Sequence, residues 1–478
     1  MERIIKTFFV FLACAASAYC AGKVSAHKAP EGEPLNARYK VYANGENVPV
    51  YDCKVSPGDE GRFKAMDSVP DSHKYFATAA YAYFDFEGGV SVKVETASKI
   101  ESAKILPKSA GIVPEIRGNS LTFKLDRPQN VVVEINGEWI ESLQIFANPM
   151  EKDIPKPGDP NVIYFGPGVH ELHTIFVPDN TTLYIAPGAI IRNTIGEADK
   201  PGGVTDRGVK WYAPSVHLVG KNIKVRGRGV IDGGLCHTHS RQTLNMSGEN
   251  ISVEGIILLD SPTWTLVVDN SKNVSIDNVK IIGRRANSDG IDICQSDGVD
   301  VKNCYIRTLD DLVVVKNFVK GRECKNVSVS KCVLWNQVAH ALSVGAEIRG
   351  PISNVVFEDC DVLHDIGREW TLRVYHCDSA PVENVRFENI RVEDAPPKFI
   401  SLWIGEAIWT KDSERGNIRN VVFKDIDARG KDLRAELKGF DASHTVSGAT
   451  FDNVKINGEK LKASDVVKNE FVENVTVK

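Results

Sequence analysis

With 478 residues, 42% of them hydrophobic and 25% charged, the chain is too long for one ordinary domain unless its fold grows by repetition. That composition excludes wholesale disorder. A formal net charge of −5 leaves no broad basic field, so no nucleic acid is expected as a partner.

The N-terminus reads as a signal peptide over residues 1–18. Arg3 and Lys6 form a charged start, Thr7 to Ala18 is a short apolar stretch, and Ala16-Ser17-Ala18 offers a small-residue cleavage site. A lipidated Cys14 or Cys20 is the alternative, although neither sits in a convincing lipobox. This run is too short for a membrane span, and no later segment is long and apolar enough. The expected location is secreted or periplasmic.

Residues 24–150 carry strand-like runs such as Tyr81 to Phe86, Val90 to Val94, Leu121 to Leu125 and Val131 to Ile135, punctuated by Gly, Asn and Pro. They predict a small antiparallel β-sandwich. Residues 151–160, with Pro155-Lys156-Pro157-Gly158-Asp159-Pro160, read as a linker. Strands within Val162 to Asn193 are expected to form the capping first coils of a repeat region.

Beyond Asn193 the chain carries a nine-residue pattern, Asn-aliphatic-x-(Val/Ile/Phe)-x-(Asn/Asp/Gly)-x-x-aliphatic. It starts at Asn222, Asn250, Asn273, Gly298, Asn326, Asn354, Asn384, Asn420 and Gly448, at intervals of 23 to 36 residues. The second and fourth positions, such as Ile223 and Val225 or Val355 and Phe357, are apolar and two apart, the mark of one inward strand face. The sixth position is Gly, Asn or Asp except at Lys331, and those residues tolerate the left-handed backbone of a sharp bend. Short strand, bend and short strand at this period indicate coils that hydrogen-bond to one another about 4.8 Å apart. Leucine-rich repeats and propeller blades need consensus patterns or strand densities that are missing here. The expected fold class is all-β: a right-handed parallel β-helix over residues 161–478, preceded by the β-sandwich.

Ten cysteines include two within the first twenty residues, and the other eight form no C-x-x-C pair. Cys304, Cys332 and Cys360 share the seventh repeat position. A stacked bridge is geometrically open to them, but a ladder of buried thiols is the simpler reading. Cys236-His237-Thr238-His239 lacks a fourth ligand at a recognisable spacing and reads as a loop, so no metal is assigned.

Chemistry gathers on three successive coils. Aligning the inward strands beginning at Ile291, Leu312 and Leu342 puts Asp289, Asp310 and His340 in one column, with Asp311 beside them. Crowded carboxylates raise the proton affinity of at least one, and a protonated carboxyl beside an ionised one is what glycoside hydrolysis requires. Asp310 and Asp311 are sequential and would face opposite ways in a regular strand, so they must lie in the turn before it. An Asp at a β-helix turn commonly just holds the bend, but three with a histidine in register argue for a site.

The motifs Asn287-Ser288-Asp289-Gly290, Asp310-Asp311, His340 and Arg373, with Ser261-Pro262-Thr263-Trp264-Thr265-Leu266, resemble the polygalacturonase family of glycoside hydrolases over roughly Val162 to Ile390. The resemblance implies an inverting hydrolase of α-glycosidic bonds in pectin that needs no cofactor. It assigns Asp310 as general acid, Asp289 and Asp311 as the carboxylates that position and deprotonate water, and His340 as a residue that tunes the acid and contacts sugar. Arg373 would bind substrate, and Asn287, Lys316, Tyr375, Trp264 and Trp403 join it as candidate substrate-binding residues. Trp335, Trp370 and Trp409 are further candidates for stacking on sugar, and the long interval holding Trp403 and Trp409 suggests a wall beside the groove.

Departures from the family pattern are specific. Leu309 replaces the glycine before the paired aspartates, Ala339 and Ala341 replace those around His340, and Tyr375 stands where the family's lysine binds a uronate carboxylate. Val162 to Gly168 and Tyr184 to Gly188 are also similar to the dextranase/isopullulanase family, which acts on neutral α-glucans. The rivals are a β-helix polysaccharide lyase using calcium on the carboxylates and a non-catalytic glycan-binding β-helix.

Overall fold

The structure, a computed structural model, describes residues 22–58 and 74–478. The leader expected at residues 1–18 lies outside the described residues, as do Cys14 and Cys20.

Strands from Lys23–Ala26 to Glu138–Pro149 form two sheets, one of six strands and one of five. Their alternating apolar residues, among them Val41, Phe84, Val92, Phe123, Val133 and Ile145, interlock in one core. The pairing is not wholly antiparallel: the Glu138–Pro149 strand runs parallel to Ala77–Glu87, with Leu143 opposite Ala80.

After a strand-free stretch from 150 to 161, nearly all the remaining strands form a single 33-stranded sheet wound into a parallel β-helix. The repeat explains its register. Ile223 pairs with Ile251, Ile251 with Val274, Val274 with Val299, Val299 with Val327 and Val327 with Val355, and all are buried. Phe357, Phe387, Phe423 and Phe451 continue the fourth position as a stack with ring centroids 4.9–5.1 Å apart. Sixth-position residues do take the left-handed conformation, including Lys331 at φ 53°. Cys304, Cys332 and Cys360 are buried free thiols, the ladder rather than a bridge.

One outer face of the coils, from Ile190 through Ile257, Tyr305 and Trp335 to Leu363, packs against sandwich residues Tyr51, Tyr81, Leu106 and Phe146. Buried cations cross this junction: Arg228 reaches Asp85 at 2.9 Å, and Arg307 donates to the Ile140 carbonyl at 2.7 Å. Trp335 belongs here as well. It is fully buried, 3.7 Å from the Arg307 guanidinium and stacked on Trp139 at 6.0 Å, so it is unavailable to a sugar. Among the described residues no helix is long and apolar enough to cross a membrane.

Candidate functional site

The site lies on the parallel strands Ile291–Cys294, Val313–Asn317, Leu342–Ile348 and Leu372–His376. Ile291 pairs with Val313, Val313 with Leu342 and Leu342 with Leu372, and these residues fill the interior. Two residues before each of the first three registered positions, the column therefore reads Asp289, Asp311, His340. The Gly290 amide donates to the Asp311 carbonyl at 2.7 Å, and the Leu312 amide donates to that of His340 at 2.9 Å.

This corrects the alignment from sequence by one residue: Asp310, not Asp311, is the flanking member. Leu312 to Val315 is an unbroken apolar run, so the alternation that reveals strand parity is absent. Both aspartates do lie in the bend before the strand, and one carboxylate oxygen from each of Asp289, Asp310 and Asp311 lies within 4.8 Å of the others.

Their environments differ sharply. Burial opposes charge on Asp311, but the His340 imidazole hydrogen-bonded to it, the Arg373 guanidinium 3.9 Å away and Lys316 together hold its carboxyl well below the usual range. Burial and then the Asp311 charge push Asp310 up to about 6, against Lys316 and the amides of Asp311 and Asn287 that donate to it. Burial and Asp292 push Asp289 well above the usual carboxylate range.

Lys316 sits between Asp289 and Asp292, its Nζ 3.3 and 2.9 Å from their oxygens and 4.1 Å from the centre of the Trp264 ring. Burial works against its ammonium, but Asp292 and Asp289 outweigh burial and keep the group charged. Burial and Arg373 lower the His340 imidazole against the opposing Asp311 charge, and its Nδ1 is hydrogen-bonded to an Asp311 oxygen. The family resemblance links His340 to the acid; in the structure its imidazole is hydrogen-bonded to Asp311.

Asp289 Oδ1, Asp292 Oδ2 and His340 Nε2 are buried without a hydrogen-bond partner among the described residues. Each costs about 1–3 kcal/mol unless a ligand or water meets it. The three aspartates also have the donor set for a divalent cation. The Lys316 ammonium already supplies a positive charge beside them, which disfavours a second.

The other candidates surround this centre. Asn287, at φ 55°, forms the bend before Asp289. Trp264, Trp370 and Trp403 are half-buried, and Trp409 is 44% exposed. Tyr375 stacks on Trp403 with centroids 4.3 Å apart and rings tilted by 8°. On the N-terminal side a cavity of about 410 Å³ is lined by Arg207, Trp211, Tyr212, His239 and Asn287. Cys236 to His239 is a loop in which Cys236 donates to the Asn193 carbonyl and His239 lies 2.7 Å from Arg207.

Two acidic residues were missed. Asp292 is buried against Lys316, and half-buried Glu347 adds its charge to the field on Lys316 and Arg373. The signal for Asp292 was available: in Ile291-Asp292-Ile293 it alternates with two inward residues and so faces the groove.

Residues 218–476 match the family model described as Glycosyl hydrolases family 28. An endo-polygalacturonase of Pectobacterium carotovorum subsp. carotovorum is 25% identical over 294 residues, covering 59% of this chain and 64% of its own. Exopolygalacturonase B of Aspergillus niger is 28% identical over 251 residues, covering 45% and 55%. The chain thus spans under two thirds of the length of these curated relatives.

Among solved structures, Dex49A from Penicillium minioluteum superposes with a TM-score of 0.66 at 14% identity, over 94% of this chain and 96% of its own. The polygalacturonase from Erwinia carotovora ssp. carotovora gives 0.54 at 20% identity, over 64% and 86%. At these identities the likeness is one of fold.

Proposed function

The chain belongs to glycosyl hydrolases family 28, and from that premise we propose that it hydrolyses α-glycosidic bonds in a pectic polysaccharide outside the cytoplasm. The observation that carries the reading is the split between neighbouring carboxyls: Asp310 sits at about 6 while Asp311 stays ionised. An acid and a base held apart by their surroundings are the requirement for glycoside hydrolysis.

In the proposed step Asp310 gives its proton to the glycosidic oxygen as the bond from that oxygen to the anomeric carbon breaks. A water positioned by Asp289 attacks the carbon, and Asp311 takes the proton that water loses. Solvent then returns Asp310 to its acid form and Asp311 to its carboxylate. The oxygens lie within 4.8 Å, closer than the about 6.5–9.5 Å between carboxyl groups usual for inverting pairs. A third carboxylate changes that geometry, because two can share the water while the other serves as acid. Inversion is expected, and proton NMR of the first-formed anomer reads it directly.

Several features support a hydrolase over the rivals. A lyase needs a Brønsted base, yet Lys316 is held charged between two carboxylates and Arg373 is engaged with Asp311. A purely adhesive β-helix has no use for three crowded aspartates, two of them buried. The leader-like residues 1–18 support secretion, and residues 24–150, 151–160 and 161–478 are taken as sandwich, linker and catalytic domains.

The test is release of reducing ends from polygalacturonate, rhamnogalacturonan, dextran and pullulan by wild type and Asp310→Asn. Release from a pectic substrate is expected, with the variant slower by about 10²–10⁴-fold. Because Asp310 must carry its proton, activity should fall as pH rises through about 6. Equal rates in the variant, or activity on glucans alone, would sink the proposal.

A further inference from the structure

Three consecutive bends present the aspartates and His340 to the groove. They join Lys280–Ile282 to Ile291–Cys294, Tyr305–Thr308 to Val313–Asn317, and Val333–Asn336 to Leu342–Ile348. The first carries Asp289, the second Asp310 and Asp311, and the third His340. Bends hold their course less firmly than strands unless packing and hydrogen bonds fix them. Here all three meet one edge of the sandwich, formed by residues 54–56 and 75–76.

In the first bend, Arg284 and Arg285 pair with Asp260 at 3.3 and 2.9 Å, and Lys54 of the sandwich reaches the same carboxylate at 3.9 Å. The Phe76 ring centre lies 5.0 Å from the Arg284 guanidinium and 5.3 Å from the Lys54 ammonium. In the second bend, Leu309 precedes Asp310 and is buried against Val338 of the third, and Tyr75 packs on that pair. In the third, the Gln337 side chain accepts from the Ser56 amide at 3.3 Å and donates to the Ser56 carbonyl at 3.0 Å. Both residues are fully buried. Asn336 ties the same bend to itself, donating to the Ala339 carbonyl at 2.7 Å, and to the next coil through Asp365 at 2.8 Å. The residue before Asp310 and two shortly before His340 are thus fixed by a domain that supplies none of the reacting groups.

We propose that this edge of the sandwich is a positioning element for the site. Ser56 acting through Gln337, and Tyr75 acting through Leu309 and Val338, set Asp310, Asp311 and His340 in their mutual geometry. Carboxylate oxygens within 4.8 Å of one another and a hydrogen bond from His340 to Asp311 leave little room for error. A misplacement of about 1 Å at such a site can cost about 10²-fold in rate. The effect on turnover rests on the hydrolase reading; the placement of His340 against Asp311 does not.

The test compares Tyr75→Ala, Tyr75→Phe and Gln337→Leu in the full chain with Val92→Ala, which opens space in the sandwich core on the sheet that does not meet the bends. Tyr75→Ala and Gln337→Leu should lower kcat about tenfold or more with KM little changed. They should also move the acid limb of kcat/KM to higher pH, as Asp311 loses its hold on His340. Tyr75→Phe should restore wild-type values. Val92→Ala should lower Tm yet leave kcat and the limb in place below it. If Gln337→Leu fails to fold, Tyr75→Ala, at a half-buried position, carries the comparison. The His340 ring faces Asp311, Arg373 and Glu369. Its signal in NMR of ring-labelled histidine, assigned by its loss in His340→Ala, should shift in Tyr75→Ala and not in Val92→Ala. Unchanged kcat, limb and ring signal in Tyr75→Ala, or the same losses in Val92→Ala, overturn the proposal. If wild type releases no reducing ends, the hydrolase reading fails and the ring signal alone decides the placement.

Discussion

Along one outer turn of the β-helix, Asn222, Asn250, Asn273, Asn326, Asn354, Asn384 and Asn420 recur coil upon coil. Side-chain amides donate to the coil before, as Asn354 does to Asn326 and Asn384 to Asn354, both at 3.3 Å. Along the groove, Asp289, Asp311 and His340 also lie on successive coils, yet the residue type changes along the column, and among the described residues Asp289 Oδ1 and His340 Nε2 are buried without a hydrogen-bond partner. The first column is exposed, repeated and satisfied. The second is buried, unrepeated and held together by charge. Repetition marks what the fold needs, and its interruption marks where chemistry sits.

Substitutions can break that contrast, and the largest effect is expected at Lys316. Lys316→Met keeps volume beside Trp264 but strands two buried carboxylates, at a cost of about 3–5 kcal/mol in a denaturation series at neutral pH. The sign of its pH dependence is set by Asp292, whose carboxyl is pushed up to about 7 by burial even with Lys316 present. A raised carboxyl destabilises the folded state as pH climbs from about 4 through 7, so the deficit should shrink on acidification. A variant as stable as wild type would mean that the groove column is no more strained than the Asn ladder.

Next comes His340→Ala. It removes a hydrogen bond to a charged group, worth about 1.5–3 kcal/mol. Asp311 should then regain protons more easily, moving the acid limb of kcat/KM to higher pH. An unmoved limb would show that Arg373 and Lys316 suffice to keep Asp311 ionised.

The smallest effects belong to the ladder. Asn354 sits at φ 56°, so Asn354→Ala should cost about 1–2 kcal/mol in strain. Asn354→Gly should be nearly neutral, since Gly298 and Gly448 hold the same position with left-handed φ. If both substitutions cost alike, the side-chain ladder and not the backbone conformation is what matters there.

The same contrast explains what was legible. The coils could be read because apolar residues two apart recur with bends of Asn, Asp or Gly, a pattern with one physical solution. The groove aspartates could be read because they depart from it at matching offsets. Parity at Leu312 to Val315 could not be, because strands buried on both faces lose their alternation. Glu347 lies in the irregularity between Val344 and Ile348, where register slips and counting along the chain stops predicting direction. The fate of Trp335 depended on the sandwich covering that face, which no local pattern announces.

That covered face has a mechanical consequence. A solenoid whose coils touch only their neighbours can be peeled from an end one turn at a time. Here the sandwich lies like a splint along the strands from Ala189–Asn193 to Asp361–Asp365, and Asp289, Asp310, Asp311 and His340 all belong to the splinted turns. Among the described residues, no side chain beyond Leu363 joins that apolar brace. Pulled from the C-terminus, the protein should unwind through its last coils at low force and then stall where the sandwich takes hold, with the carboxylate cluster still intact.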